Sequence, residues 1–171
     1  MTAISMADLL TPAKIVPQLR AANRYELLRK LASCMAADGA TSEEVVYAAL
    51  AGAANIPPLM VRRGVSLLHA TSHGVRSPVV AVARLQNTLD LGWAAYCSTD
   101  VVAALVSPTQ TSDHLRALAC LARRLRRPDV VAHIRASKCR ETIYLALTSD
   151  EWCVSQPTSI GPVASRRRRD I

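Results

Sequence analysis

Phenylalanine is absent from the 171 residues, and aromatic side chains make up only 4% of them. Half of the chain is nonetheless hydrophobic, so its core has to be built from Leu, Val, Ile and Ala. A chain of this length buries most of its apolar surface as one domain without needing a disulfide or a metal. Lysine is scarce, at Lys14, Lys30 and Lys138, while arginine is abundant. No C-x-x-C pair occurs among Cys34, Cys97, Cys120, Cys139 and Cys153, their number is odd, and no secretory signal precedes them. They read as reduced, mostly buried thiols of a cytoplasmic protein, with Cys34 and Cys120 inside helical apolar patterns. No run approaches the ~18 apolar residues of a membrane span, and Met1 to Leu10 lacks a basic leader, so no membrane insertion is expected.

The formal net charge is +8. Arg123, Arg124, Arg126 and Arg127 form one cluster, and Arg166 to Arg169 another. Such a balance suits a nucleic acid or an acidic partner. A solvated, arginine-biased surface explains it as well and is the expectation here, with nucleic-acid binding kept as the weakest reading.

In chain order, Ser5 to Leu10 makes one short helical turn before Pro12. Ile15 to Leu19 is a strand that Pro17 confines to an edge or a bulge. Asn23 with Glu26 is a capping box for a helix carrying Leu27, Leu28, Leu31, Ala32 and Met35, ended by Gly39. Thr41 with Glu44 repeats the pattern, with Val45, Val46, Ala49 and Leu50 inward and Gly52 closing the helix. Residues 53–63 read as irregular around Pro57-Pro58. Strands follow at Val65–Leu68, Val79–Leu85 and Val101–Val106. The last two are continuous apolar runs suited to a sheet covered on both faces, with Leu89 to Ser98, including Trp93 and Tyr96, connecting them. Thr111 or Ser112 caps a helix with Leu115, Leu118, Ala119, Ala122 and Leu125 as its apolar stripe. Pro128 opens another with Val130, Val131 and Ile134 inward, and Ser137 caps a last one carrying Ile143, Tyr144 and Leu147. This order predicts an α/β fold, one small mixed β-sheet sandwiched between helices over residues 1–150. Residues 151–171 read as a flexible Arg-rich tail.

The chain has four histidines. His133, near a helix end, and His73, in the turn Thr71-Ser72-His73-Gly74, read as surface residues. His69 differs, closing the run Arg62-Arg63-Gly64-Val65-Ser66-Leu67-Leu68-His69. A strand-end histidine serves as nucleophile, metal ligand, proton shuttle or packing. His114 lies in the first turn of a helix that follows a strand. In open α/β sheets, groups from strand ends and helix starts meet in one crevice, and a helix start suits a phosphoryl group. A neutral imidazole, with an unperturbed pKa near ~6.5, is a competent nucleophile toward phosphorus. No Cys or His lies at metal spacing from either residue, so no metal is expected, and phosphoryl transfer between histidines would require no organic cofactor.

Several stretches together resemble the fructose/mannitol-type (type 2) enzyme IIA domain of the bacterial phosphotransferase system, in its nitrogen-regulatory branch. They are Ala7 to Pro12, Gly64 to His69, Val79 to Leu85, Asp100 to Pro108, His114 to Leu125 and Ile134 to Tyr144, covering about residues 4 to 148. The resemblance implies that His69, in place of the histidine closing the family's Gly-Val-Ala-Ile-Pro-His motif, accepts a phosphoryl group from a histidine phosphocarrier protein. It implies that His114 lines the same pocket and stabilises the phosphate. The output it implies is nitrogen or carbon regulation through partners such as kinases, transporters or transcription factors, rather than sugar uptake.

The chain departs from the family around this motif. The family's glycine-rich approach is Met60-Val61-Arg62-Arg63-Gly64 here, Leu68 replaces the proline, and the family's upstream arginine aligns with Ala53, its acidic neighbours with Gly52 and Ala54. Glycines in such a loop permit positive φ and close backbone approach. Two readings stay open. In one, Arg62, Arg63 and Gly64 bind phosphate from another direction, a unit charge at ~4 Å being worth on the order of 4 kcal/mol at an effective dielectric near 20. In the other, the loop is degenerate, and the chain is a phosphorylation-deficient pseudo-enzyme that regulates by binding proteins.

Overall fold

The computed structural model describes residues 4–53, 56–92, 98–109 and 112–149. Five strands form one mixed sheet: β1 (Ile15–Leu19), β2 (Leu59–Arg62), β3 (Val65–Thr71), β4 (Val79–Asp90) and β5 (Ser98–Ser107), in the order β1-β4-β5-β3-β2. The pairs β1/β4 and β3/β5 are parallel, and β4/β5 and β2/β3 are antiparallel. Pro17 sits in edge strand β1, where a missing N–H leaves no central ladder broken.

Strand side chains alternate between faces, so each face collects its own core. Val65, Leu67, Val101, Ala103 and Leu105 pack on one side with α1 (Met6–Leu9), α4 (Ser112–Leu125), α5 (Pro128–Ala136) and α6 (Arg140–Thr148). Leu68, Ala70, Val102, Ala104 and Val106 pack on the other with α2 (Arg24–Met35) and α3 (Glu43–Gly52). The expected α/β sandwich is therefore present, with both chain-terminal helices of the described residues, α1 and α6, packed on one face.

Several local expectations shift. Residues 59–62, expected to be irregular, form β2, joined to β3 by a two-residue turn at Arg63-Gly64 in which Gly64 has φ +79°. The cap of α3 is Ser42, whose Oγ accepts from the Val45 N–H at 3.2 Å, and the neighbouring Thr41 hydroxyl is buried with no hydrogen bond. Asn23 does cap α2, accepting from the Glu26 N–H at 2.9 Å, but the Glu26 carboxylate bonds the Ala22 N–H instead of closing the box. That helix stops at Met35, short of Gly39. Cys139 rather than Ser137 occupies the cap of α6. Strand β4 continues through Leu89 and Asp90, which pair with Thr99 and Ser98, so part of the expected connector is ladder. On α4 the inward stripe is His114, Ala117, Cys120, Leu121, Arg124 and Leu125, while Leu115 and Ala119 face outward. Apolar identity misled there, because a histidine and an arginine hold inward positions at i, i+3, i+7 spacing. Trp93, Tyr96, Thr111 and the tail 151–171 lie outside the described residues.

Candidate functional site

Strand β3 brings His69 to the site through register. Its partner across the parallel ladder is Leu105, and its odd position puts it on the face of Val65 and Leu67, the face that α4 covers. Helix α4 begins at Ser112, just after β5 ends at Ser107, so its first turn hangs over the C-terminal ends of β3 and β5. His114 projects inward from that turn and is only 6% exposed. The two imidazole centroids lie 5.5 Å apart with their planes tilted by 52°. Both rings line a cleft of about 430 Å³ whose other walls include Ala48, Ala49, Gly52 and Ala53 of α3 and its end, Ile56, Ala70 and Thr71. Ile56, Pro57, Pro58 and Leu68 adjoin His69 on its apolar flank.

The remaining ring nitrogen contact decides how His114 is held. Its Nδ1 lies 2.6 Å from the Ser107 hydroxyl. Ser107 is fully buried, on the odd face of β5, with its own carbonyl accepting from the Ser72 N–H at 2.9 Å. Burial lowers the pKa of His114 below the ordinary 6.5, and repulsion from His69 adds to it. The ring is therefore neutral near pH 7, with Nδ1 engaged and Nε2 left for a ligand.

Arg62, Arg63 and Gly64 are not brought to this cleft. They sit in the hairpin at the opposite end of β3, where Gly64 is five residues and thus roughly 16 Å of extended strand from His69 and Arg62 pairs with Val65. There they line a separate cleft with Thr88, Ser98, Asp100 and Arg135. Arg135 binds Asp100 through two hydrogen bonds of 2.7 and 2.8 Å and donates to the Arg63 carbonyl at 3.0 Å, and Arg62 donates to the Arg126 carbonyl at 3.3 Å. Gly64 serves that arrangement: a Cβ on it would stand 2.6 Å from an Arg135 nitrogen and 2.8 Å from an Asp100 oxygen. The glycine of the motif is a hairpin and packing requirement here, not part of the imidazole pocket.

His73 is exposed in its turn, and His133 Nδ1 bonds the Asp129 carbonyl at 2.9 Å within α5. Among the described residues, no cluster of three or more His, Cys, Asp or Glu is placed to hold a metal ion, and no helix is long and apolar enough to cross a membrane.

A recognised sequence family, described as "Phosphoenolpyruvate-dependent sugar phosphotransferase system, EIIA 2", matches residues 8–150. The chain belongs to this EIIA 2 family. A nitrogen regulatory protein from Bradyrhizobium diazoefficiens is 29% identical over 143 residues, spanning 83% of this chain and 94% of the relative. Among solved structures, the fold is similar to nitrogen regulatory protein IIA-Ntr from Neisseria meningitidis, with a TM-score of 0.73 and 18% identity over 84% of this chain and 99% of that one. It is also similar to mannitol IIA from Escherichia coli, with a TM-score of 0.69 and 15% identity over 81% and 99% of the two chains. A further similar structure is that of mannitol IIA in complex with phosphorylated IIB from the same species. This chain is thus an EIIA 2 domain and a homologue of nitrogen regulatory proteins.

The residue that sequence reasoning passed over is Ser107. It lies just past the strand expected at Val101–Val106, within the family-like stretch Asp100 to Pro108, and the sequence reading gives it no role. Its signal was positional: two residues beyond Leu105 and opposite Thr71, it shares the odd face with His69.

Proposed function

We propose that this EIIA 2 domain is a cytoplasmic regulator that accepts a phosphoryl group on His69 from a histidine phosphocarrier protein. The observation that carries the reading is the pair of imidazoles, 5.5 Å apart and facing one cleft at the start of α4. Such a cleft admits one phosphoryl group between a nucleophile and a partner that binds its oxygens. Transfer of this kind passes through a loose, in-line arrangement in which positioning and charge stabilisation supply most of the catalysis. His69 attacks phosphorus, and His114 holds the phosphate oxygens beside the N-terminal end of its helix. The regulatory role in nitrogen or carbon metabolism, and partners such as kinases, transporters or transcription factors, follow from likeness to the nitrogen regulatory relatives. Residues 1–150 form the IIA-type unit in this reading, with 151–171 as a tail, and neither metal nor organic cofactor takes part. Arg62, Arg63 and Gly64 have no role at the phosphoryl group.

The test is incubation with a phosphorylated histidine carrier protein, reading label on the chain. Native protein takes up one phosphoryl group, and His69→Ala takes up none. No uptake by native protein, or equal uptake by the variant, sinks the proposal.

A second reading has one observation in its favour: Ala48, Ala49, Gly52 and Ala53 wall the cleft, and its described lining contains no arginine or lysine. A domain that binds partners without accepting phosphate fits such a pocket. It predicts partner capture that survives His69→Ala.

A further inference from the structure

A phosphoryl group on His69 brings up to two negative charges into a cleft whose described walls hold no Arg or Lys side chain. The described titratable group beside it is His114, which is buried and neutral near pH 7. A neutral ring bonded at Nδ1 either donates or accepts there, according to where the serine proton lies. Ser107 resolves both cases. Its Oγ is 2.6 Å from Nδ1 and also 3.2 Å from the Pro108 carbonyl, to which its proton can turn. With the hydroxyl proton on the carbonyl, Oγ accepts an Nδ1–H. With the proton on Nδ1's lone pair, the ring keeps its hydrogen on Nε2.

Resting on the phosphoryl-acceptor reading above, we propose that Ser107 is a positioning residue that lets His114 become an imidazolium when His69 is phosphorylated, so that a proton supplies the cation that the described lining of this pocket lacks. In the transfer, the donor's P–N bond breaks and its electron pair stays on the donor ring. A lone pair of His69 forms the new P–N bond, and the protons on the two reacting rings stay where they are. The proton on His114 comes separately from solvent. It occupies the ring so that Nε2–H binds a phosphate oxygen while Nδ1–H is accepted by Ser107, whose own proton turns to Pro108. Every polar hydrogen then has an acceptor.

Several charged groups of the described elements around α4 are held by partners elsewhere. Asp113 on α4 is exposed and paired with Arg116 at 3.8 Å. Glu44 and Tyr47 of α3 are turned to Arg29. Asp8 of α1 bonds Ser5, Asp129 of α5 pairs with Arg127, and Arg62 of β2 reaches Arg126 beyond the far end of α4. His69 itself is the other ring.

The experiment uses the full chain with nitrogen-15 histidine, phosphorylated with phosphoramidate. Phosphorus NMR reports the phosphoryl group on a ring nitrogen, and nitrogen-15 NMR reports the protonation of His114. The expected result is a neutral His114 at pH 7.5 before phosphorylation and a doubly protonated ring after it. Ser107→Ala should lower the titration midpoint of His114 in the phosphorylated protein by about one pH unit, tenfold in its protonation equilibrium, and Ser107→Thr should restore it. If phosphoryl group is on His69 and His114 stays neutral, the inference is wrong while the acceptor reading stands. An unchanged midpoint in folded Ser107→Ala overturns the part assigned to Ser107. Absence of any phosphohistidine signal removes the acceptor reading and this inference with it. Should Ser107→Ala not fold, the wild-type spectra and Ser107→Thr still decide: a neutral phospho-form ring, or a Thr variant with a lost shift, overturns the proposal.

Discussion

Placing a permanent cation in the imidazole cleft is the sharpest perturbation the geometry offers. Ala53 is the C-cap of α3, with helical φ and ψ of −82° and −1°, and it lies in the wall that faces His69 and His114. An arginine there keeps the backbone conformation, and a cation at a helix C-terminus is itself favourable by roughly 0.3–1 kcal/mol, so Ala53→Arg should fold. With the guanidinium ~5 Å from a phosphoryl group on His69, each unit of charge contributes about 3 kcal/mol at an effective dielectric near 20. The cleft is open to solvent and salt, which reduces that to roughly 1–2 kcal/mol net, or about 5–30-fold in the phosphotransfer equilibrium. The assay is the fraction phosphorylated by phosphoramidate at a fixed donor concentration, read by phosphorus NMR. The same cation should reduce the proton uptake by His114, because the phosphate charge is then already met. An unchanged or smaller phosphorylated fraction in folded Ala53→Arg would refute the claim that missing positive charge limits this pocket.

Other consequences are separable from the chemistry. Gly64→Ala forces a side chain into a φ of +79° and against Arg135 and Asp100, which should cost about 2 kcal/mol and lower Tm by about 4–8 °C, with phosphorylation of His69 retained in the folded fraction. Failure to destabilise would refute the close packing described for the hairpin. Leu121→Ala empties a fully buried site under the sheet and should cost about 3 kcal/mol in chemical denaturation, whereas Leu115→Ala, on the exposed side of the same helix, should change it by under about 0.5 kcal/mol. The lowered pKa of His114 means that the unfolded chain binds its proton first as pH falls. Stability from this group is therefore complete above about 6.5 and declines as pH drops from there toward the folded value. His114→Gln should flatten that part of a Tm-against-pH curve, and an unaltered slope would count against burial as the cause.

The sheet was legible because its strands are runs of Val, Leu and Ala bounded by Gly, Pro and Ser, and a run buried on both faces has no other residence in a chain of this size. The imidazole pair was legible for a related reason. A strand end and a helix start meet at one edge of such a sheet regardless of what lies between them in the chain. What escaped the sequence is where apolar identity and structural role part company. β2 has too few residues, and too many exposed ones, to show a period. The stripe of α4 takes in His114 and Arg124 beside Leu121 and Leu125, because the buried Arg124 finds the Ser149 carbonyl and His114 finds Ser107. Thr41 and Ser42 are chemically equivalent candidates for one cap, and the choice depends on the entry angle of the chain.

The fate of Arg62 and Arg63 shows how sequence proximity misleads along a strand. Seven residues separate Arg62 from His69, near enough to suggest one site, yet the hairpin pairs Arg62 with Val65, four residues and roughly 13 Å of extended strand short of His69. The same arithmetic identifies the residues that do meet. Ser107 and His114 are seven apart too, but the chain reverses between β5 and α4, and a bond of 2.6 Å closes the turn. A direct check follows from this contrast. Arg62→Ala and Arg63→Ala together should leave the phosphorylated fraction of His69 within about twofold of native, since the Debye length of about 8 Å at physiological salt screens charges that far away. A drop of tenfold or more would mean that the hairpin reaches the imidazoles in the phosphorylated protein, and the separation of the two clefts along β3 would then not describe the working molecule.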